Sequence, residues 1–124
     1  MTPTKAHMKK IYYLSTCSTC KRLISNWNPG SDVEMIDIKS RPLTESEVDH
    51  MAALAGGYEA LFSRRAMKYR GWGLNEKELS EKDYREYLLK EYTFLKRPVV
   101  LVGDQIFVGN SAKTALAAHH ALSA

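Results

Sequence analysis

One pattern in the first 38 residues leaves few folds open: a short apolar run, a Cys-x-x-Cys, an amphipathic stretch and a second apolar run. "KIYYLST" is rich in Tyr and Leu and bounded by Ser and Thr, which predicts a buried strand at about residues 10–14. "CSTCKRLISNW" sets Cys20, Leu23, Ile24 and Trp27 at three- and four-residue steps, one apolar face of a helix. Ser15 or Thr16 is the expected cap, and Asn28-Pro29-Gly30 the expected stop. "DVEMIDI" predicts a second strand near 33–38, with Val33, Met35 and Ile36 or Ile38 as its apolar positions. Strand, helix and strand in so short a span make a βαβ unit, whose two strands should be parallel.

The remaining chain reads as a helical middle and a β-hairpin. Thr44 with Glu47 is a capping box, followed by Val48, Met51, Ala52 and Ala55 on one face and a Gly56-Gly57 break. "YEALFSRR" suggests a short helix, and "GWG" a turn. Ser80 with Asp83 starts another helix, with Tyr84, Tyr87, Leu88 and Tyr92 as its apolar side. In "RPVVLVGDQIFVGNS" two β runs, Val99–Val102 and Gln105–Val108, flank Gly103-Asp104, a hairpin signal. Ser111 can cap a last helix. The order β-α-β, helices, β-β-α predicts an α/β fold with a mixed four-stranded sheet. It also predicts a single domain over 1–124 with a helical insertion at about 41–95. A chain of 124 residues buries roughly two thirds of its unfolded surface.

Composition narrows the setting. No stretch approaches the ~20 apolar residues of a membrane span. "MTPTKAHMKK" carries charge with no apolar run behind it, so no secretory signal is expected and a cytoplasmic location is. Thiols there stay reduced unless they cycle. The net charge of +4 comes from interspersed acids and bases, without a basic run interleaved with aromatics, so direct nucleic-acid binding is not expected. The densest basic cluster, "SRRAMKYR" at 63–70, reads either as a solvated face or as an anion site.

The two cysteines carry the chemistry. A strand feeding a helix that opens on Cys-x-x-Cys is the redox arrangement of thioredoxin-like proteins. Cys17 at a helix N-terminus gains free N–H groups and the helix dipole, which stabilise a thiolate. Lys21 and Arg22 add positive charge nearby, and Cys20, one turn on and more buried, suits a resolving role. Two other readings stand beside this one: half of a zinc site, and two buried structural thiols. His7, His50, His119 and His120 lack the spacing to complete a zinc site. Pro98, at the head of the third strand, fits the cis proline that precedes the β-β-α half in the thioredoxin fold.

"CSTCKR", "LFSRRAMKYRGWGL" and "LLKEYTFLKRPVVLVGDQIFVGNS" together resemble the ArsC/Spx/YffB family of glutaredoxin-coupled arsenate reductases, Spx regulators and their relatives, over about residues 10–120. The resemblance implies a thioredoxin-like fold with a helical insertion between βαβ and ββα. It implies Cys17 as nucleophile and Arg97 as the arginine before the proline. Arg65 matches the middle-segment arginine of the Spx and YffB relatives, with Arg64 one position away as second candidate. The chain departs from the arsenate-reductase pattern in three places. "FVGNS" carries no arginine after the fourth strand, "YLST" stands where that pattern has His-Asn-Pro, and Ser18-Thr19-Cys20-Lys21 replaces Gly-Thr-Ser-Arg. These departures point to a branch with an internal Cys17–Cys20 disulfide, or to a glutathione-linked reductase.

The expected function is therefore a thiol–disulfide oxidoreductase. Cys17 attacks an oxyanion, a glutathione adduct or a disulfide, and Cys20 resolves. No bound cofactor or metal is expected; glutathione, glutaredoxin or thioredoxin is the external reductant. A small thiol or oxyanion substrate and a redox partner protein are the expected partners. The alternative is an Spx-like adaptor that binds RNA polymerase, with the cysteine pair as its redox switch.

Overall fold

The computed structural model describes residues 8–123; the opening segment and His7 lie outside the described residues. The chain divides into two compact units, one built from the residues up to Arg41 together with those from Arg97 onward, the other from Pro42–Lys96.

The first unit holds the sheet. Strand β1 (Lys9–Tyr13) is followed by helix α1 (Ser18–Trp27) and strand β2 (Val33–Asp37). After the helical unit come β3 (Val99–Val102), β4 (Gln105–Val108) and a C-terminal helix, Ala112–Ser123. The sheet order is β2-β1-β3-β4. β1 and β2 pair in parallel, Ile11 opposite Met35. β3 runs antiparallel to β1, Tyr12 opposite Val99, and to β4. This is the mixed sheet the element order demands. Gly103, at φ 58, supplies the left-handed residue that a two-residue hairpin needs.

One sheet face gives Ile11, Val33, Val100 and Val102 to a core completed by Trp27, Ala118 and Leu122. Trp27 also donates its indole N–H to the Ala115 carbonyl at 3.1 Å, so the largest buried side chain of α1 keeps its polar atom satisfied against the C-terminal helix. The expected alternation in β2 is broken: Met35 is 39% exposed, while Val33, Ile36 and Ile38 are buried. β2 is an edge strand, and Met35, on the same face as Val33, is not among the side chains packed on this core.

The second unit contains α2 (Glu45–Ala55), α3 (Met67–Gly71) and α4 (Glu81–Lys90), with 3₁₀ turns at Glu59–Leu61, Leu74–Glu76 and Tyr92–Phe94. Both capping boxes form, Thr44 with Glu47 and Ser80 with Asp83. α2 ends at Gly56, φ 92. The short helix expected in "YEALFSRR" is only the 3₁₀ turn Glu59–Leu61, and α3 runs into "GWG", with Gly71 its last residue. Phe62 is the hub of the unit. It stacks on Phe94 at 4.9 Å and meets Tyr84 at 4.9 Å and Tyr69 at 5.9 Å. The C-terminal helix of the chain, Ala112–Ser123, is called α5. Among the described residues no helix is long and apolar enough to cross a membrane.

Candidate active site

Parallel strands end on the same side of a sheet, and β3, being antiparallel to β1, begins there. The C-terminal ends of β1 and β2 and the N-terminal end of β3 therefore meet. Leu14 to Cys17 leave β1 at this point, and Arg97-Pro98 enter β3 beside them; Tyr12 opposite Val99 fixes the register. The Arg97–Pro98 peptide is cis, and the Pro98 carbonyl accepts the Gly109 N–H at 3.0 Å.

Leu14 and Cys17 close a tight turn, the Cys17 N–H donating to the Leu14 carbonyl at 3.0 Å. α1 then starts on Cys17 itself. Its carbonyl accepts the Lys21 N–H at 3.1 Å, and its backbone is extended, φ -94 and ψ 111. The cap is thus the cysteine and neither Ser15 nor Thr16. Those two residues occupy the turn, and Ser15 spends its N–H on Asp37. A sulfur in the cap position lies next to the unpaired donors of the first helical turn, although it makes no cap hydrogen bond to them. No acidic side chain stands in that turn to compete for them.

Both thiols are free, Cys17 partly exposed and Cys20 buried. Partial burial pushes the Cys17 thiol up, but the neighbouring Cys20 N–H and S–H and the Arg97 guanidinium outweigh it. The outcome is a thiol below its ordinary value. Burial pushes Cys20 the other way, up to about 11, with the Cys17 sulfur adding to the rise and the Leu14 N–H opposing it. The two sulfurs are therefore unequal: Cys17 is held below its ordinary value and Cys20 above it, each influenced by the other. Lys21 and Arg22 are exposed, and the cation that meets the sulfur is Arg97.

The family match spans residues 12–118. The chain belongs to the ArsC family. A Bacillus subtilis (strain 168) protein named YusI, described as uncharacterized, is 28% identical over 79% of this chain and 86% of its own length. A Staphylococcus aureus COL protein solved by NMR is 30% identical, covers 86% of this chain and 94% of its own, and superposes with a TM-score of 0.67. An arsenate reductase from Vibrio cholerae, 16% identical, covers 90% of this chain and 97% of its own at a TM-score of 0.74, which speaks to a shared fold. The fold is the thioredoxin-like α/β fold of the ArsC family.

Within the ArsC-type sheet unit, Cys17, Cys20, Arg97 and Pro98 stand together. Arg64 and Arg65 belong to the helical unit, where they differ. Arg64 bonds the Glu59 carboxylate, donates to the Tyr84 hydroxyl at 2.9 Å and lies over the Tyr84 ring. Arg65 is exposed, and among the described residues its side chain makes no hydrogen bond or ion pair. Lys68 of the same basic cluster is bound to the buried Glu91 carboxylate at 2.7 Å. The segment at 63–70 is thus neither a wholly solvated face nor a wholly open anion site, since two of its four bases are matched by acids elsewhere in the unit. Among the described residues no group of three or more His, Cys, Asp or Glu could hold a metal ion.

One residue at the strand ends escapes a reading by motif. Asp37 closes β2 opposite Tyr13, and its carboxylate reaches Ser15. The signal was present in combination: a parallel βαβ unit aligns the last residues of its strands, and Asp followed two and three residues later by polar donors is a turn former.

Proposed function

We propose that this ArsC-family chain is a thiol–disulfide oxidoreductase with Cys17 as nucleophile and Cys20 as resolving thiol. The observation that carries the reading is the position of the Cys17 sulfur at the cap of α1, one turn before Cys20, with the Arg97 guanidinium close enough to help hold its thiol below the ordinary value. Thiolate, not thiol, attacks.

Against a disulfide, the Cys17 sulfur displaces one sulfur as a thiolate, and a mixed disulfide forms. Cys17 has then lost its negative charge, so one cause of the high Cys20 value disappears. Cys20 gives up its proton and attacks the Cys17 sulfur, and the second substrate thiolate leaves. Two electrons have passed to the substrate, and Cys17 and Cys20 are joined. A dithiol protein such as glutaredoxin or thioredoxin, or two molecules of glutathione, returns the electrons. With an oxyanion, Cys17 displaces hydroxide, and Arg97 meets the negative charge with a bidentate fork that lysine lacks. Arg65 is the further arginine proposed for anionic substrates.

The test uses a glutathione mixed disulfide as substrate. The wild-type protein should turn over and lose the mass of two hydrogen atoms on mild oxidation. Cys20→Ser should accumulate a stable adduct on Cys17, and Cys17→Ser should form none, a loss on the order of a thousandfold or more in rate. Absence of any adduct, together with capture of RNA polymerase in only one redox state, would replace this reading with that of a redox-switched adaptor.

A further inference from the structure

The turn that delivers Cys17 is held from outside itself. The Ser15 N–H donates to Asp37 Oδ1 at 3.2 Å. That N–H belongs to the Leu14–Ser15 peptide group. The carbonyl of the same group accepts the Cys17 N–H at 3.0 Å. The Leu14 N–H, one peptide earlier, meets the Cys20 sulfur. A single peptide plane therefore joins Asp37 on one side to the nucleophile on the other. A hydrogen bond at one end of a peptide polarises it and strengthens the bond at the other end.

Asp37 is itself well oriented. The β1–β2 register places it opposite Tyr13, and the Ile38 N–H extends the ladder to the Tyr13 carbonyl at 2.9 Å. The Lys39 N–H donates to Oδ1 at 3.2 Å and the Ser40 hydroxyl to Oδ2 at 3.0 Å. These two local bonds alone would make an ordinary Asp turn. The bond across to the Ser15 N–H is additional, and it links β2 to the cysteine turn.

We propose that Asp37 is a positioning residue for Cys17, its carboxylate fixing the Leu14–Ser15 peptide so that the sulfur stays at the cap of α1 beside Arg97. The proposal rests on the reading of Cys17 as the nucleophile. It requires acceptor geometry, not charge. Asparagine offers the same Oδ1 to both N–H groups and an amide that can donate to the Ser40 hydroxyl, so it should replace Asp37.

The experiment follows the rate of Cys17 alkylation against pH, read by mass spectrometry on the full chain, alongside thermal melts. Asp37→Ala should raise the midpoint of the Cys17 profile by about half a pH unit or more and slow Cys17–Cys20 disulfide formation several-fold. Asp37→Asn should restore both. A lowered Tm in Asp37→Ala with an unmoved midpoint would show a merely structural role and overturn the proposal, as would an asparagine variant that behaves like the alanine one. Should Asp37→Ala fail to fold, Ser15→Pro deletes the bonded N–H while leaving Asp37 in its own turn, and proline suits that second turn position. The same rise in midpoint is expected there, and an unmoved one overturns the proposal. A wild-type midpoint at the ordinary thiol value would sink the nucleophile reading and this inference with it. A low wild-type midpoint unaffected by Asp37→Ala sinks this inference alone.

Discussion

In the helical unit Arg64 and Arg85 close on carboxylates, Arg64 on Glu59 and Arg85 on Asp49 at 2.7 Å with Glu45 beside it. In the sheet unit Arg97 closes on a sulfur whose charge appears only when Cys17 loses its proton. The first kind of pair is permanent at ordinary pH and ties elements together: Asp49 lies on α2, Arg85 on α4, and the Tyr58 hydroxyl joins the same carboxylate at 2.6 Å. The second kind is conditional. The difference teaches that arginine count says little about an active site; what matters is whether the partner's charge is fixed or comes and goes with the chemistry.

Arg97→Met tests the conditional pair and should have the largest effect. It should raise the pH midpoint of Cys17 alkylation by about one unit, the lower end for loss of an opposite charge in contact. Arg97→Lys should recover part of that, because the charge returns without the planar fork. An unmoved midpoint would leave the two kinds of arginine indistinguishable. Next in size is stability. Arg64→Ala should lower the unfolding free energy in urea by about 0.5–1 kcal/mol, a value set by the half-exposed pair with Glu59. Arg65→Ala should change it by less than about 0.5 kcal/mol, as at an unengaged surface site. Equal losses would erase the contrast between neighbours.

The smallest effect concerns Asp49. The Arg85 guanidinium and the Tyr58 hydroxyl hold its carboxyl down to about 2. A folded value below the unfolded one, about 3.9, favours the folded state above about pH 4, and the gain is lost as pH falls toward 2. Melting temperatures between pH 2 and 5 should therefore fall less steeply in Asp49→Asn than in the wild type. They should still fall, because Asp37, Asp83 and Glu91 are also held below their ordinary values. Identical slopes would show that this permanent pair contributes nothing.

Much of this was legible in the residues because it is written in local periodicity. The three- and four-residue spacing of Cys20, Leu23, Ile24 and Trp27 and the two capping boxes are short-range signals, and the structure forms them. The hairpin about Gly103-Asp104 is of the same kind. The misses are positions whose state depends on distant chain. Met35 fits the alternation of a strand but sits on a sheet edge. Ser15 has the right chemistry for a cap, yet the turn from Leu14 to Cys17 leaves it ahead of the helix start, and Asp37, far along the chain, holds it there. Arg64 and Arg65 are neighbours of one residue type, and only the position of Glu59 and Tyr84 separates them. The link between Asp37 and the cysteine turn needs the strand register, which no window of sequence contains.

The central strand β1 has a consequence for how this architecture can vary. Tyr12 pairs with Val99, so the sheet is closed by a connection that includes the whole helical unit. The entropy of closing such a loop grows only with the logarithm of its length, about 0.6 kcal/mol for each doubling. Substantial lengthening or trimming of residues 42–96 therefore costs the sheet unit little, provided the ends still return to Arg41 and Arg97. By loop-closure entropy alone, the length of the segment between Arg41 and Arg97 is thus only weakly constrained by the sheet it interrupts.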